Sequence, residues 1–282
     1  MKNKKRFNTL LLILVFFAGL SLLLYPSIAN YINEKHQTRA ISAYDAGIAE
    51  IGEAEYEKML ESAHAYNEGI LKRYNYFSPS GAEKKQYKSL LDPVGSGMMG
   101  YIEISSIDVT LPIYHGTSDE VLESAVGHMD WSSLPVGGES THCVLSGHRG
   151  LPSAKLFTHL DELAEGDIFH LRVLNEVLTY EVDQILIVDP LDTESLQIEK
   201  GADYCTLVTC TPYGINTHRL LVRGHRIASD SAALMRITSE AVQIEPMITA
   251  AVAGIPALMI MLAIVFFSGS NKRRDSNRGG KK

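Results

Sequence analysis

The sequence predicts a mostly β protein, in which a β-barrel with short helices follows a helical segment and is flanked by two transmembrane helices. Three observations lead to this fold class. Two long uncharged apolar segments lie near the ends of the 282-residue chain, a polar and helix-favouring stretch follows the first of them, and short β-favouring runs separated by turn residues fill the middle.

The two apolar segments predict membrane spans. Residues 7–33 and 246–271 contain no charged side chain, and the second is long enough to cross a hydrocarbon core of about 30 Å as a helix. Four basic residues precede the first segment, within residues 1–6, and six follow the second, within residues 272–282. Because positively charged flanks stay in the cytoplasm, we predict a two-pass protein of the cell membrane whose middle part lies outside the cytoplasm.

A cleaved signal peptide is the alternative for the first segment. Ser27, Ile28 and Ala29 resemble a small-residue cleavage site. The second segment would then hold the protein in the membrane by itself.

The charge of the middle part excludes one class of partner. Between the two basic ends there are 16 basic and 32 acidic residues. Such an acidic body does not neutralise phosphate groups, so we expect no nucleic acid as a partner.

The part outside the membrane is predicted to have two sections and a linker. Residues 34–98 form a helical stalk and a flap. Within them, residues 34–73 carry apolar side chains at helical spacings, and residues 75–85 are rich in turn formers, which indicates a surface loop. Residues 99–230 form the barrel, and residues 231–245 link it to the second span.

Seven short β-favouring runs predict the barrel, and the turn signals between them favour a mostly antiparallel arrangement. Brief helical patterns at residues 120–126 and 154–163 interrupt the runs. The β-favouring runs are residues 101–104, 109–114, 142–145, 168–173, 178–188, 205–208 and 220–222.

The chain has three cysteines, so they cannot all pair within it, and at least one thiol is free or forms an intermolecular bridge. Cys205 and Cys210 are five residues apart, which places them on opposite faces of a continuing strand and disfavours a mutual disulfide. Cys143 and Cys205 lie inside apolar runs, where free cysteine acts as a small buried hydrophobe. Cys210 instead ends a strand before the turn signal TPYG, where a cleft can form.

Cys210, His148 and Arg219 are the candidate catalytic residues. A thiol needs a nearby base or cation to become an effective nucleophile. His148 ends an apolar run and has glycines on both sides of the His-Arg pair, and Arg219 opens the strand after the turn, so a hairpin return would bring it towards Cys210. These residues would supply a nucleophile, an acid/base and an oxyanion stabiliser for acyl transfer.

Spacing alone leaves two alternatives open. In the first, His148 is a surface or capping histidine and Arg219 is a solvated charge. The second is a zinc site built from Cys205, Cys210, His148 and His218, although a Cys-x4-Cys gap without a second compact ligand pair is atypical of structural zinc. We predict no metal and no cofactor.

Residues 99 to about 226 resemble the catalytic domain of a class C sortase, a pilin-polymerising cysteine transpeptidase. The strand end TLVTC with TPYGINTHRLLV downstream is the most specific part of the resemblance, and a hydrophobic C-terminal tail is common in this class. The matching blocks are GYIEI at 100–104, LPIYHGTS at 111–118, SLPVGG at 133–138, THCVLSGHRGLPSAKLF at 141–157 and TLVTCTPYGINTHRLLVRG at 206–224.

The resemblance implies a closed sortase-like barrel with Cys210 as nucleophile, His148 as acid/base, and Arg219 as the residue that stabilises the oxyanion and positions substrate. Sortases of this class cleave an LPXTG-like sorting signal between Thr and Gly, hold the acyl group as a thioester, and pass it to a lysine amine of the next pilin subunit without a cofactor. The implied partners are pilin-like proteins with LPXTG-type signals, the lysine amine acceptor and membrane lipid.

Three other functions remain open beside this one. The first is a sortase that anchors single proteins to cell-wall peptide. The second is a hydrolytic cysteine peptidase, because water and an amine compete for the same thioester. The third is an inactive membrane-tethered assembly or binding protein.

The flap is the one departure from the class C pattern. Class C sortases usually carry an Asp-Pro-aromatic motif upstream of the barrel that covers the cysteine. Here Asp-Pro is followed by valine at 92–94 and lies close to the first strand. We predict a flap at residues 74–91 in which Tyr76 or Phe77 covers the cysteine, without an identified acidic anchor.

Overall fold

The structure is a computed structural model, and it describes residues 2–73 and 75–229. The contacts divide the chain between Ile28 and Ala29, so the apolar N-terminal segment and the unit that begins at Ala29 are described separately. The predicted linker, second span and basic tail lie outside the described residues.

The first apolar segment belongs to helix α1, Lys2–Glu50. Among the described residues this is the one helix long and apolar enough to cross a membrane. Large apolar side chains such as Leu12, Leu22 and Leu23 are exposed on it. By length and composition the helix agrees with membrane anchoring at the N-terminus, and a signal sequence would have the same features.

Two further helices follow, α2 at Glu53–Ile70 and α3 at Gly81–Lys88. The amphipathic helices predicted for residues 34–73 are confirmed, and α2 buries residues at helical spacing, from Ala63 to Ile70. The surface loop predicted for residues 75–85 is wrong in its second half. There the Ser80 hydroxyl accepts from Glu83 N–H, and the Glu83 carboxylate accepts from Ser80 N–H, which is a capping box that starts α3.

Eight strands close into a barrel in the order β1-β2-β3-β4-β7-β8-β6-β5. The pairs β2/β3 and β4/β7 are parallel, and all other neighbours are antiparallel. Closure leaves no unpaired sheet edge. The strands are β1 Met98–Ile104, β2 Val109–His115, β3 Val126–His128, β4 Thr141–Ser146, β5 Ile168–Val173, β6 Glu176–Val188, β7 Asp203–Thr211 and β8 His218–Ile227.

All seven predicted runs are strands, so the mostly antiparallel barrel is confirmed. The missing strand is β3, whose three residues are too few for a period of two to be visible. The helical pattern at 120–126 gives a short helix, α4 at Asp119–Leu122, and then β3. The helical pattern at 154–163 does not give an α-helix. The structure has only a 3₁₀ turn there, at Leu160–Glu162.

The directions of β4, β7 and β8 place three chain segments at one end of the barrel. Strands β4 and β7 are parallel neighbours, so both end there, and β8 is antiparallel to β7, so it begins there. The residues that follow β4, that end β7 and that open β8 are therefore neighbours, although they are far apart in sequence.

The helices are fixed to the barrel by buried hydrogen bonds. The Tyr44 hydroxyl of α1 donates to Met99 O and accepts from Leu174 N–H, both at 2.8 Å. The Asn67 amide of α2 donates to Leu134 O at 3.1 Å and accepts from Leu134 N–H at 2.7 Å. Because these groups are buried, the helical section is part of the same packed core as the barrel.

We expect Asn67→Ala to destabilise the unit strongly. Without the amide, the buried N–H and C=O of Leu134 lose their partners, and each unsatisfied group costs roughly 1–3 kcal/mol. Chemical unfolding followed by circular dichroism measures the change, and Glu68→Ala, at the exposed neighbouring position, is the control. Equal stability of the two variants would contradict the assignment.

Candidate active site

Cys210 and Arg219 are directly opposite each other across the β7/β8 hairpin. The turn between the strands uses left-handed backbone at Gly214 and Asn216, residue types that tolerate it. Side chains directly opposite in an antiparallel pair lie on the same face, with Cβ atoms about 4.5–5.5 Å apart. The hairpin thus places Cys210 and Arg219 as a cross-strand pair on one face of the sheet.

The two faces of β7 give its cysteines different environments. Cys205 and Leu207 point into the main core, whereas Val208 joins a second apolar cluster on the outer face. Cys210 comes two residues after Val208, so its side chain lies on the same outer face of the strand, where it is half-buried.

All three cysteines are free. Cys143 and Cys205 are neighbours on β4 and β7, and only 3% and 0% of their surfaces are exposed, so both are small buried hydrophobes as predicted. Burial raises the pKa of the Cys205 thiol well above its ordinary value, which keeps that thiol protonated.

His148 lies in the loop that leaves β4. The last registered pair of the parallel ladder is Ser146 with Val208. Two further bonds continue that alignment, from Gly147 N–H to Val208 O at 3.0 Å and from the Thr209 hydroxyl to Gly147 O at 2.7 Å. The next residues along the two segments are His148 and Cys210. The structure therefore brings His148, Cys210 and Arg219 to one end of the barrel.

The Arg219 guanidinium is held by its own hairpin. Its Nη1 donates to His218 O at 3.1 Å and to Asn216 O at 3.3 Å. Arg219 also lines a cavity of about 180 Å³ next to Trp131 and Leu196. A guanidinium has five N–H groups, so further donors remain for a substrate oxygen.

Most side chains that line this cavity are apolar, and the polar ones are Asp192, Thr193 and Arg219. Val208, Leu196 and Leu221 are buried in the outer cluster, and Met129 and Trp131 pack against it. Sequence reasoning missed both Met129 and Trp131. The available signal was that Trp131 is the single tryptophan of the chain.

Of the two flap candidates, Phe77 contacts the cavity wall, and Tyr76 packs against Phe77. The Tyr76 and Phe77 rings lie 4.4 Å apart, and the Phe77 ring lies 4.9 Å from that of Trp131. The Tyr76 hydroxyl accepts from Ile198 N–H at 3.3 Å. Of the contacted residues, Trp131 lines the same cavity as Arg219.

A buried phenol joins this segment to the barrel. Tyr87 of α3 is 1% exposed, and its hydroxyl lies 3.0 Å from His128 Nδ1 and accepts from Gly116 N–H. Burial raises the pKa of Tyr87, so the hydroxyl stays protonated. Asp92, in contrast, accepts from Gly97 N–H and shapes the turn before β1.

The zinc alternative fails on geometry. Cys205 faces the barrel interior and Cys210 the outer face, so the two sulfurs do not converge on one ion. No group of three or more potential ligands among His, Cys, Asp and Glu occurs in the part of the chain that the structure describes.

Comparison with known proteins identifies the same region. A family model described as "Sortase domain" matches residues 102–227. "Sortase D" of Bacillus subtilis (strain 168) is 31% identical over 151 residues, which cover 52% of this chain and 73% of that protein.

Solved structures that are similar to this chain are sortases as well. Sortase C1 from Streptococcus agalactiae is 50% identical with a TM-score of 0.66, and the match covers 68% of this chain and 100% of that chain. A sortase C from Clostridium perfringens, solved with the C-terminal cell wall sorting motif, is 41% identical with a TM-score of 0.58 and the same coverage.

We expect thiol labelling to single out Cys210 in the folded protein. A maleimide should modify one thiol per folded chain and three in denaturant, because Cys143 and Cys205 are buried. Mass spectrometry of the intact and digested protein gives the number and position of the labels. Cys210→Ala is the control and should show no fast label; modification of Cys143 or Cys205 at a similar rate would contradict the burial.

Proposed function

Because the chain belongs to the sortase family and is therefore a cysteine transpeptidase, we propose that it joins pilin-like proteins outside the cell. In this proposal it cleaves an LPXTG-like sorting signal between Thr and Gly and passes the acyl group to a lysine amine of the next subunit. Two similar structures support this substrate class: a sortase C of Streptococcus pneumoniae described with its pilin substrate specificity, and the Clostridium perfringens sortase C solved with a cell wall sorting motif.

The observation that carries the catalytic assignment is the pairing of Cys210 with Arg219, with the loop after β4 beside them. In the first step the Cys210 sulfur attacks the Thr carbonyl carbon, and His148 receives the thiol proton. Arg219 donates to the oxyanion of the tetrahedral intermediate. The C–N bond then breaks, and His148 returns the proton to the leaving Gly amine, which leaves a thioester.

The second step reverses these roles. The lysine amine attacks the thioester carbonyl, and its proton passes to His148 as Cys210 leaves. The product is an isopeptide bond, and the thiol is regenerated. Water can attack the same thioester, which gives hydrolysis as a side reaction. Both steps are acyl transfers without net oxidation.

We propose that the apolar part of the sorting signal binds in the cavity beside Arg219. Its apolar wall complements the Leu-Pro portion of such a signal, which would place the Thr carbonyl at the thiol. Phe77 contacts Trp131 in the wall, and Tyr76 packs against Phe77. We infer that residues 75–91 are the flap over this binding site and that Tyr87 anchors the flap.

The proposed location is the outer surface of the cell membrane, with an N-terminal span and a second span at residues 246–271. Membrane lipid would then surround both spans. The acidic body of the chain favours lysine-rich acceptor surfaces through long-range attraction, which salt screens.

We expect three variants to separate the catalytic roles. Cys210→Ala should abolish turnover of an LPXTG-type peptide, and His148→Ala should reduce it by about 10²- to 10⁴-fold, the usual contribution of acid–base catalysis. Arg219→Lys keeps the charge but loses the planar fork, and we expect roughly a 10²-fold loss. Peptide cleavage and amide formation, followed by chromatography, measure these rates.

The exposed histidine variant His36→Ala is the control for His148→Ala and should keep the wild-type rate. Unimpaired turnover by His148→Ala would remove that residue from the mechanism. The product separates the remaining functions: a ladder of linked subunits supports polymerisation, and a single product linked to cell-wall peptide supports the anchoring alternative.

A further inference from the structure

Arg149, the residue after His148, has contacts that the catalytic assignment does not use. Its Nη2 donates to Asp161 Oδ2 at 2.6 Å, and its Nη1 donates to the Thr211 hydroxyl at 3.4 Å. The guanidinium carbon lies 6.0 Å from the centre of the Tyr213 ring. Only 10% of the side chain is exposed.

These partners come from two chain segments, the β4–β5 connection and the end of β7 with the turn that follows it. Asp161 belongs to the loop that follows β4, Thr211 comes directly after Cys210, and Tyr213 lies in the turn that leads to Arg219. One guanidinium therefore contacts the segments on which all three proposed catalytic residues lie.

The backbone beside Arg149 packs against the same turn. Gly150 has a left-handed φ of 79°, and a Cβ added to it would lie 3.0 Å from the Tyr213 ring. Gly150 N–H donates to the Thr158 hydroxyl at 3.2 Å. The close approach of loop and turn thus depends on the absence of a side chain at position 150.

Stability alone does not account for this arrangement. Removing a guanidinium from water is costly, and a buried ion pair is often no more stabilising than apolar side chains of similar volume. Arg149 Nε is also buried without a hydrogen-bond partner among the described residues, which adds to the cost. An arginine buried in this way is better explained by a role in holding neighbouring chain segments in fixed positions.

We propose that Arg149 is a positioning residue that holds the loop after His148 against the segment after Cys210 and the turn before Arg219. The inference rests on the proposed function, since it concerns the same three residues. The carboxylate of Asp161 fixes one side of the guanidinium, and the other side is then directed at Thr211. Loss of this link lets the imidazole, thiol and Arg219 move relative to one another.

The test compares Arg149→Gln and Arg149→Lys in the full chain. Because misplacement of catalytic groups by about 1 Å can cost on the order of 10²-fold in rate, we expect Arg149→Gln to lower kcat for an LPXTG-type peptide by about 10- to 100-fold with little change in KM. Arg149→Lys restores the charge next to Asp161 but cannot also bond Thr211, so its kcat should be intermediate.

The matched control is Arg223→Gln. Arg223 lies on β8, pairs with Asp183 through bonds of 3.0 and 2.9 Å, and has 15% of its side chain exposed. If arginine–aspartate pairs on this barrel act only on stability, both glutamine variants should lower Tm and leave kcat unchanged below it. We expect that result for Arg223→Gln alone.

The outcomes separate this proposal from the proposed function. Wild-type kcat in Arg149→Gln, in a protein whose Cys210→Ala variant is inactive, would overturn the positioning role and leave the function intact. A wild-type protein without transpeptidation would instead contradict the function itself. If Arg149→Gln does not fold, Asp161→Asn tests the same link from the partner side and should lower kcat with KM retained.

Discussion

The parallel pairing of β4 with β7 is the constraint on which the site depends. The two strands run in the same direction from Thr141↔Asp203 to Ser146↔Val208, so the loop after β4 and the end of β7 must leave the barrel side by side. An antiparallel pair would have placed His148 at the opposite end from Cys210. Since β7 also forms a hairpin with β8, the same strand carries the thiol and sets the position of Arg219.

Alternation along β7 then divides its side chains by function. Inward residues such as Cys205 and Leu207 complete a core with almost no exposed surface, and this rigid interior fixes the strand. The outward residue Val208 joins a smaller apolar cluster with Leu221, and Cys210 is the next outward position of the strand. The helices contribute from outside, because Phe77 contacts Trp131 at this cluster and Tyr87 holds α3 in place.

Much of the fold could be predicted from local sequence, since alternating apolar runs and turn residues show strands directly. Three features could not. Strand β3 is too short for a visible period, α3 depends on a capping box inside a polar segment, and the Tyr87 contact with His128 joins residues distant in sequence. Residue patterns placed Cys210 and Arg219 on one hairpin, but only the parallel ladder brings His148 beside them.

Trapping the acyl-enzyme tests the central claim most directly. The full chain is mixed with an LPXTG-type donor peptide without an amine acceptor, quenched in acid, digested and analysed by mass spectrometry. The account predicts an adduct with the mass of the fragment ending in Thr, located on Cys210 and removed by hydroxylamine, as a thioester should be. Release of the Gly fragment with no adduct, or with a hydroxylamine-resistant adduct on another residue, would contradict it.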